Sequence, residues 1–461
     1  MNTLLLHEAE LSGVPVDIRV EHNQVVAIGQ PGSLESADTE VSCSGGALLP
    51  GLHDHHLHLM AMAAAMDSVD VSHHLEQAIR RAHSDARPGS WLRAVGYDEA
   101  EGGTLDRWRL DEMSPEVPVR VQHRSGAMWV LNTAALEHVG AFDSDEPGIE
   151  RNSQGQPTGR LFGLDAWLGD YVSPTAPDLA AVGRRIASYG VTGVTDCTPA
   201  STTEYWGALA MAVQSGDLPL TVMVTGGPEL SELTPPDHVH RGPVKIVITE
   251  HELPALGDLV GWFRRAHHVV RPVAVHCVTR AALILALCAW EEVGSVPGDR
   301  VEHASVTPPE LVTSLAELGV TVVTQPAFIA ARGDDYLRGV DLQDRPDLYR
   351  CASLMRAGVC VGGSTDAPFG PDDPWIAIRA AIDRRAPNGE RVGDDVGLAP
   401  SSALNLFLAP LESPGGPART VRVGAPADLC LLDAPMHHIL GDPQSRHVAM
   451  TIAGGQVTFS G

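Results

Sequence analysis

Only one of the 32 basic residues in this chain is a lysine, Lys245; all the others are arginine. Positive charge is scarce altogether. Against 58 acidic residues it leaves a formal net charge of −26, which repels nucleic acid and anionic membrane surfaces and excludes both as partners. Long hydrophobic runs are missing too. A stretch such as AALILALCAW stops at about half the roughly 20 residues a membrane span needs. The opening MNTLLLHEAELSG has neither a basic start nor a sustained apolar stretch, so it is not read as a signal peptide. The seven cysteines form no CxxC pair. An odd, dispersed set of this kind reads as reduced thiols in a cytoplasmic protein, and Cys288 and Cys430, in apolar runs, as small hydrophobes. Without a GxSxG elbow, a GxGxxG loop or a GxxxxGK[ST] loop, there is no sign of a serine hydrolase of that type or of a nucleotide cradle.

What is present describes a globular protein of 461 residues, 44% hydrophobic and 20% charged, long enough for one large domain and a smaller one. Both ends alternate as short strands do: VDIRV and QVVAIG early, DLCLLDA and AMTIAGGQVTF late. Residues 1–50 and 405–461 are therefore expected to form one small β-sandwich. Residues 51–404 change to apolar strands alternating with amphipathic helices. Strands are predicted at 51–58, 191–197, 218–225, 243–248, 272–277, 300–304, 320–324 and 358–364, with helices at 179–189, 255–268, 280–293, 309–318 and 374–384. The fold class is α/β, and eight strands favour a closed (β/α)8 TIM barrel over an open doubly wound sheet. The first gap is anomalous. A long insertion, about residues 60–190, follows the first strand and carries its own strands in WLRAVGYDE and VPVRVQHRSG. It begins where a barrel's catalytic face would lie, which suggests a lid or a substrate pocket.

The first predicted barrel strand contains PGLHDHHLHLM. His56 and His58 are two apart and point to one side of a strand, with Asp54; His53 and His55 point to the other. Neutral imidazoles at the C-terminal end of a barrel strand can grip a divalent ion. Later strands end similarly: His276 closes RPVAVHC, His303 closes DRVEHAS, and Asp366 follows VCVGGSTDAP. Any one of these could be a structural polar group. One per strand end, on a single rim, points to a metal site. Lys245 lies inside PVKIVI on the fourth strand. Burial favours the neutral amine, and a neutral amine can capture carbon dioxide as a carbamate. Such a group can bridge two metal ions, which arginine cannot do because it stays protonated. The alternative is a lysine left by chance at a strand edge. The paired histidines at 73–74, 267–268 and 437–438 are expected to be solvated.

In their order, LLPGLHDHHLHL, the strand-four lysine, AVHC, RVEHAS and GGSTDAP resemble the amidohydrolase superfamily, and its YtcJ-like branch in particular. WLRAVGYDEA, RSGAMWVLNTAAL and GQPTGRLFG in the insertion, and VRVGAPADLCLLDA near the end, extend the likeness over nearly the whole chain. The resemblance implies two divalent metal ions, one held by His56, His58 and Asp366 and the other by His276 and His303, bridged by carboxylated Lys245. Zinc suits such donors; cobalt, manganese and iron also fit. It implies hydrolysis of a C–N bond in an amide, urea or carbamate by metal-activated hydroxide, with Asp366 as general base and then acid. The expected partner is a small, bulky, neutral molecule, and a homo-oligomer is in keeping with the family. The branch's usual SGH reads SGA here, with Ala127, and Thr249 and Glu250 stand where it usually has Asp-Gly. Groups near the substrate are therefore altered. Tyr97, His123, Arg124 and Trp129 either line the substrate pocket or simply pack the insertion. Two alternatives remain: a mononuclear deaminase, which would carry a glutamate where Thr279 stands, and a non-catalytic barrel.

Overall fold

Apolar strands that run parallel and are covered on both faces make up the centre of the chain. The structure is a computed structural model that describes residues 3–461 apart from 88, 173–177, 200 and 249–252. The strands are β1 (Leu52–Leu57), β2 (Val191–Asp196), β3 (Thr221–Gly226), β4 (Val239–Val247), β5 (Val273–Cys277), β6 (Arg300–His303), β7 (Thr321–Thr324) and β8 (Val361–Gly363). Each pairs in parallel with the next. Beyond β8 the chain returns to β1, where Asp366 N–H donates to the His56 carbonyl at 2.8 Å and His58 N–H donates to the Ala367 carbonyl at 2.9 Å. The sheet is thus a nearly closed eight-stranded barrel, as the strand count implied.

Departures from the predicted limits have local causes. β3 begins at Thr221 rather than 218 because Pro219 lacks an N–H and Leu220 N–H turns back to the Leu218 carbonyl. β4 starts four residues early because Val239–Arg241 pairs with Val222–Val224. β8 is short because Gly358, at φ 86°, makes a turn that delays it.

Helices follow the strands with apolar stripes at helical spacing. Arg280–Val293 buries Ala282, Leu283, Ala286, Leu287, Ala289 and Trp290, and Leu256–His268 buries Leu259, Val260, Phe263 and Ala266. The Phe263 and Trp290 rings pack 4.9 Å apart. Here the expectation of solvated histidine pairs fails in part. His267 is mostly covered, its Nε2 lying 3.1 Å from buried Asp299, which also accepts from Trp290 Nε1 at 2.9 Å. His268 and the pairs at 73–74 and 437–438 are less confined, the latter four residues being exposed.

The chain ends build a β-sandwich. One sheet holds Thr3–Leu11, Val14–Glu21, Gln24–Gly29 and Thr39–Ser42, and the other holds Leu48–Pro50, Leu429–Leu432, Val448–Ala453 and Gln456–Ser460. Leu4, Leu6, Ile18, Val20, Leu48, Leu429, Leu431 and Ile452 share one core between them. Leu48–Pro50 leads directly into β1, so one run of chain serves sandwich and barrel in turn.

The residues between β1 and β2 form a second compact unit, Met60–Asp178. Its six-stranded sheet runs in the order Ile149–Arg151, Pro157–Phe162, Met128–Leu131, Val119–His123, Leu92–Tyr97 and Val69–Asp70. Two apolar clusters are centred on Tyr97, Leu110 and Val121 in one case and on Trp129, Leu136 and Leu161 in the other. Among the described residues, no helix is long and apolar enough to cross a membrane.

Candidate metal centre

The first strand is irregular where its histidines lie. Three steps along β1, Asp54 to Leu57, face only two along β2, Val194 to Asp196. This extra residue re-aims the side chains that follow, as bulges beside functional sites do. His53 packs outside the resulting cluster. Its Nδ1 lies 3.1 Å from the Ala409 carbonyl, and its ring fills the space where a Cβ on Gly193 would sit. His56 and His58 come together with Asp366: His58 Nε2 is 3.2 Å and His56 Nε2 is 3.5 Å from Asp366 Oδ1. The barrel-closing hydrogen bonds described above place these three residues side by side.

The other predicted donors join them. The rings of His56 and His303 have centroids 4.9 Å apart, and those of His303 and His276 are 4.4 Å apart. His303 Nδ1 is 3.9 Å from Asp366 Oδ2. Lys245 is only 9% exposed, and its Nζ is buried with no hydrogen-bond partner. Its charge bears on His56, His276 and His303 alike. All six expected donors therefore meet on one rim. An amine buried without a partner among imidazoles is costly as it stands, and it fits a site completed by a group that this chain alone does not provide. Among the described residues, His56, His58 and Asp366 place three ligand atoms within 4.8 Å of one another, a possible metal site; His56, Cys197 and Glu302 do so as well.

Electrostatics favour the ligating form of His56, His276, His303 and Asp366. Burial, reinforced by Lys245, holds His56 well below the usual histidine range. Burial does the same for His276, with help from His303 and Lys245, and lowers His303 as well. Neutral rings keep a lone pair for a cation. Burial works to protonate Asp366, but the His58 hydrogen bond and the nearness of His56 and His303 outweigh it, so the carboxylate stays ionised. His303, Ala304 and Asp366 have φ of 71°, 47° and 56°. Left-handed backbone at three non-glycine residues costs energy and gathers at functional sites.

Several supporting residues were not singled out from the sequence. Glu302 accepts from His56 Nδ1 and from Arg300 Nε, both at 2.6 Å. Gln325 Oε1 lies 2.8 Å from His303 Nδ1, and its own Nε2 donates to Ser364 at 2.9 Å. Thr198 Oγ1 lies 3.3 Å from His58 Nδ1 and 3.0 Å from the Tyr205 hydroxyl, which in turn donates to Asp196 at 2.9 Å. Asp54 accepts from Thr365 Oγ1 at 2.5 Å and from the amides of Thr365 and His56 at 3.1 Å, fastening β1 to the segment that carries Asp366. Burial pushes its carboxyl up to about 7 against those hydrogen bonds. Glu302 left only a faint signal in the strand RVEH, two residues from Arg300, the same spacing as His56 and His58.

The four substrate-pocket candidates all lie in the Met60–Asp178 unit. Tyr97 is fully buried; its hydroxyl donates to the Gly103 carbonyl at 2.8 Å and accepts from Leu105 N–H at 2.9 Å. His123 touches the Tyr97 ring and holds Ser125 Oγ at 2.7 Å. Arg124 pairs with Asp98 at 2.9 Å. Trp129 belongs to the other apolar cluster and donates from Nε1 to Asp165 at 2.8 Å. The unit thus brings the Tyr97 and His123 rings together, while Trp129 belongs to the other apolar cluster. Ala127 is exposed in a turn, and Thr249 and Glu250 lie outside the described residues.

Known proteins match this chain over nearly its whole length. The amidohydrolase family model matches residues 39–459. The N-substituted formamide deformylase of Arthrobacter pascens is 25% identical, with 96% of this chain and 94% of that protein covered. YtcJ of Bacillus subtilis (strain 168), assigned to the amidohydrolases, is 24% identical over 91% and 90%. An uncharacterized metal-dependent hydrolase from Pyrococcus horikoshii OT3 shares the fold, with a TM-score of 0.76, 20% identity and coverage of 97% and 99%. The chain belongs to the amidohydrolase family.

Proposed function

We propose that this amidohydrolase cleaves a C–N bond of a small neutral amide, urea or carbamate at a centre of two divalent metal ions, most simply zinc. The observation that carries the reading is the convergence of four imidazoles, one carboxylate and one buried amine without a hydrogen-bond partner on a single barrel rim. His56, His58 and Asp366 would hold one ion, and His276 and His303 the other. Lys245 would bridge them after its Nζ lone pair bonds to the carbon of CO2 and one proton leaves, giving an anionic carbamate. When bound, such ions supply Lewis-acid polarisation of a carbonyl and lower the pKa of water toward about 7.

The chain's own groups do the rest. Asp366, at the end of β8, presents its carboxylate oxygens to His56, His58 and His303. There it takes a proton from attacking water and returns it to the departing amine nitrogen. Glu302, Gln325 and Thr198 each face a ring Nδ1 and leave the opposite ring edge to the centre. Thr279, the position where a mononuclear deaminase would carry a proton-shuttling glutamate, caps the helix Arg280–Val293, its hydroxyl accepting from Ala282 N–H at 3.3 Å. Support also comes from the formamide deformylase of Arthrobacter pascens, whose name places its action at a C–N bond.

Metal analysis of the purified chain decides between the readings. About two ions per chain are expected; one would favour the deaminase alternative, and none would remove the catalytic reading. The companion experiment is a hydrolysis screen of anilides, ureas and carbamates with the zinc-loaded protein. No turnover on any of the three classes, with both ions bound, would overturn the substrate assignment.

A further inference from the structure

His56 is held from behind by two buried charges. Glu302 is 0% exposed, Arg300 2% and His56 1%, so none of the three exchanges its contacts with bulk water. One Glu302 oxygen, Oε1, faces Arg300 Nε, and the other, Oε2, faces His56 Nδ1, each at 2.6 Å. Arginine can only donate, and a carboxylate paired with it can only accept. His56 Nδ1 must therefore carry the proton. In the neutral ring its Nε2, the atom 3.5 Å from Asp366, then carries the lone pair. The remaining Arg300 contacts, Nη2 to the His55 carbonyl and to Cys197 Sγ, both at 3.5 Å, anchor the guanidinium without supplying Glu302 with another partner.

We propose that the Arg300–Glu302 pair is a positioning device that fixes the tautomer and aim of His56, making its Nε2 a permanently poised ligand. The inference rests on the metal-centre reading given above and extends it to residues outside the donor set. Glu302 could instead be a ligand itself, since His56, Cys197 and Glu302 also lie close enough to clasp an ion. Both of its oxygens are engaged, however, and the Arg300 cation alongside would repel a second positive charge.

Replacing the carboxylate by an amide makes the inference testable. Glu302→Gln keeps the shape but offers one acceptor where two donors wait. The charged Arg300 takes the amide oxygen, so the amide NH2 faces His56 Nδ1, which can then only accept. The proton moves to Nε2 and blocks the ligand lone pair. In Arg300→Met/Glu302→Gln the amide oxygen is released to accept from Nδ1, and the original tautomer returns.

The experiment measures zinc affinity of the full chain by chelator competition, with the melting temperature of the metal-free protein as the check on folding. Glu302→Gln is expected to bind one zinc roughly 10- to 100-fold more weakly, the range seen when such outer partners are lost. The double variant is expected to recover most of that loss. Equal affinity in Glu302→Gln and wild type overturns the proposal, and so does an equal loss in the single and double variants, the result a directly ligating Glu302 would give. Should Glu302→Gln not fold, the double variant stands alone, and weak zinc binding by it overturns the proposal. A readout independent of any Glu302 variant is the nitrogen-15 spectrum of histidine-labelled, metal-free wild type, with His56 assigned by its loss in His56→Gln. An Nδ1–H ring supports the proposal and an Nε2–H ring overturns it. A wild-type chain that takes up no zinc would sink the metal-centre reading instead, leaving the tautomer to judge this one.

Discussion

At the scale of single residues, the chemistry depends on which positions keep an unusual side chain where a common one would pack better. Lys245 is the clearest case, because arginine replaces lysine at every other basic position yet cannot form a carbamate. Lys245→Arg is expected to keep the fold, lose turnover and bind fewer than two zinc ions; near-normal turnover in that variant would rule out the bridging role. Asp366→Asn should keep part of its metal while the turnover number falls by about 100- to 10,000-fold, the usual worth of a positioned proton carrier. An unchanged rate would remove Asp366 as the base. Among the proposed ligands, His276 and Asp366 were legible because they close or follow apolar strands, where a polar residue has few bland explanations. Glu302, Gln325 and Asp54 were harder to see. Glutamate and glutamine one residue from a strand end read as ordinary surface groups, and only the folded barrel shows them buried at 0% exposure or nearly so.

At the scale of elements, the barrel strands were readable from their apolar runs, whereas the bulge in β1 was not, since nothing in HDHHLH marks which residue is extra. Strict alternation put Asp54 on the face of His56 and gave it no task. In the structure it accepts from the amides of His56 and Thr365 and so ties β1 to the segment that carries Asp366. Asp54→Ala would leave the amides of His56 and Thr365 buried without acceptors, at about 1–3 kcal/mol each. Urea denaturation of the metal-free chain should show that loss as a lower midpoint with an unchanged slope. The sandwich offers a pH test. Burial acts to raise Asp17, but donation from the Glu8 and Gly32 amides and from His7 outweighs it, and its pKa is lowered. A lowered carboxyl contributes stability above its unfolded value, about 3.9, and loses that contribution as pH falls below it. His7 is raised, chiefly by its hydrogen bond to Glu40, against burial and with Asp17 assisting. Its contribution is complete below about 6.5 and fades as pH rises through the raised value. The melting temperature of wild type relative to Asp17→Asn should therefore be highest between these limits. A difference that is flat from pH 3 to 9 would show that the cluster does not act this way.

At the scale of the whole molecule, every candidate metal donor belongs to the unit formed by residues 1–59 and 179–461, and Met60–Asp178 has apolar cores of its own. A ligand stabilises only the part of a protein whose folded state it binds. Calorimetry with and without a chelator should thus shift the melting of the barrel unit while leaving that of the insertion in place. A common shift of a single transition would show that the two units unfold together. The existence of the insertion was plain from the length of the first gap. The task of its aromatic groups was not, because Tyr97 and Trp129 have the composition of a pocket and the hydrogen bonds of a core.

The first strand of the candidate centre owes its anchorage to parts of the chain made much later. Gly51 N–H donates to the Asp428 carbonyl and His53 N–H to the Phe407 carbonyl, while His56 and His58 are clasped by Asp366 and Ala367. On the ribosome these partners emerge hundreds of residues after the histidines they hold. The nascent histidines must wait, unlocked, until those partners emerge, so their anchorage is completed long after they are themselves made.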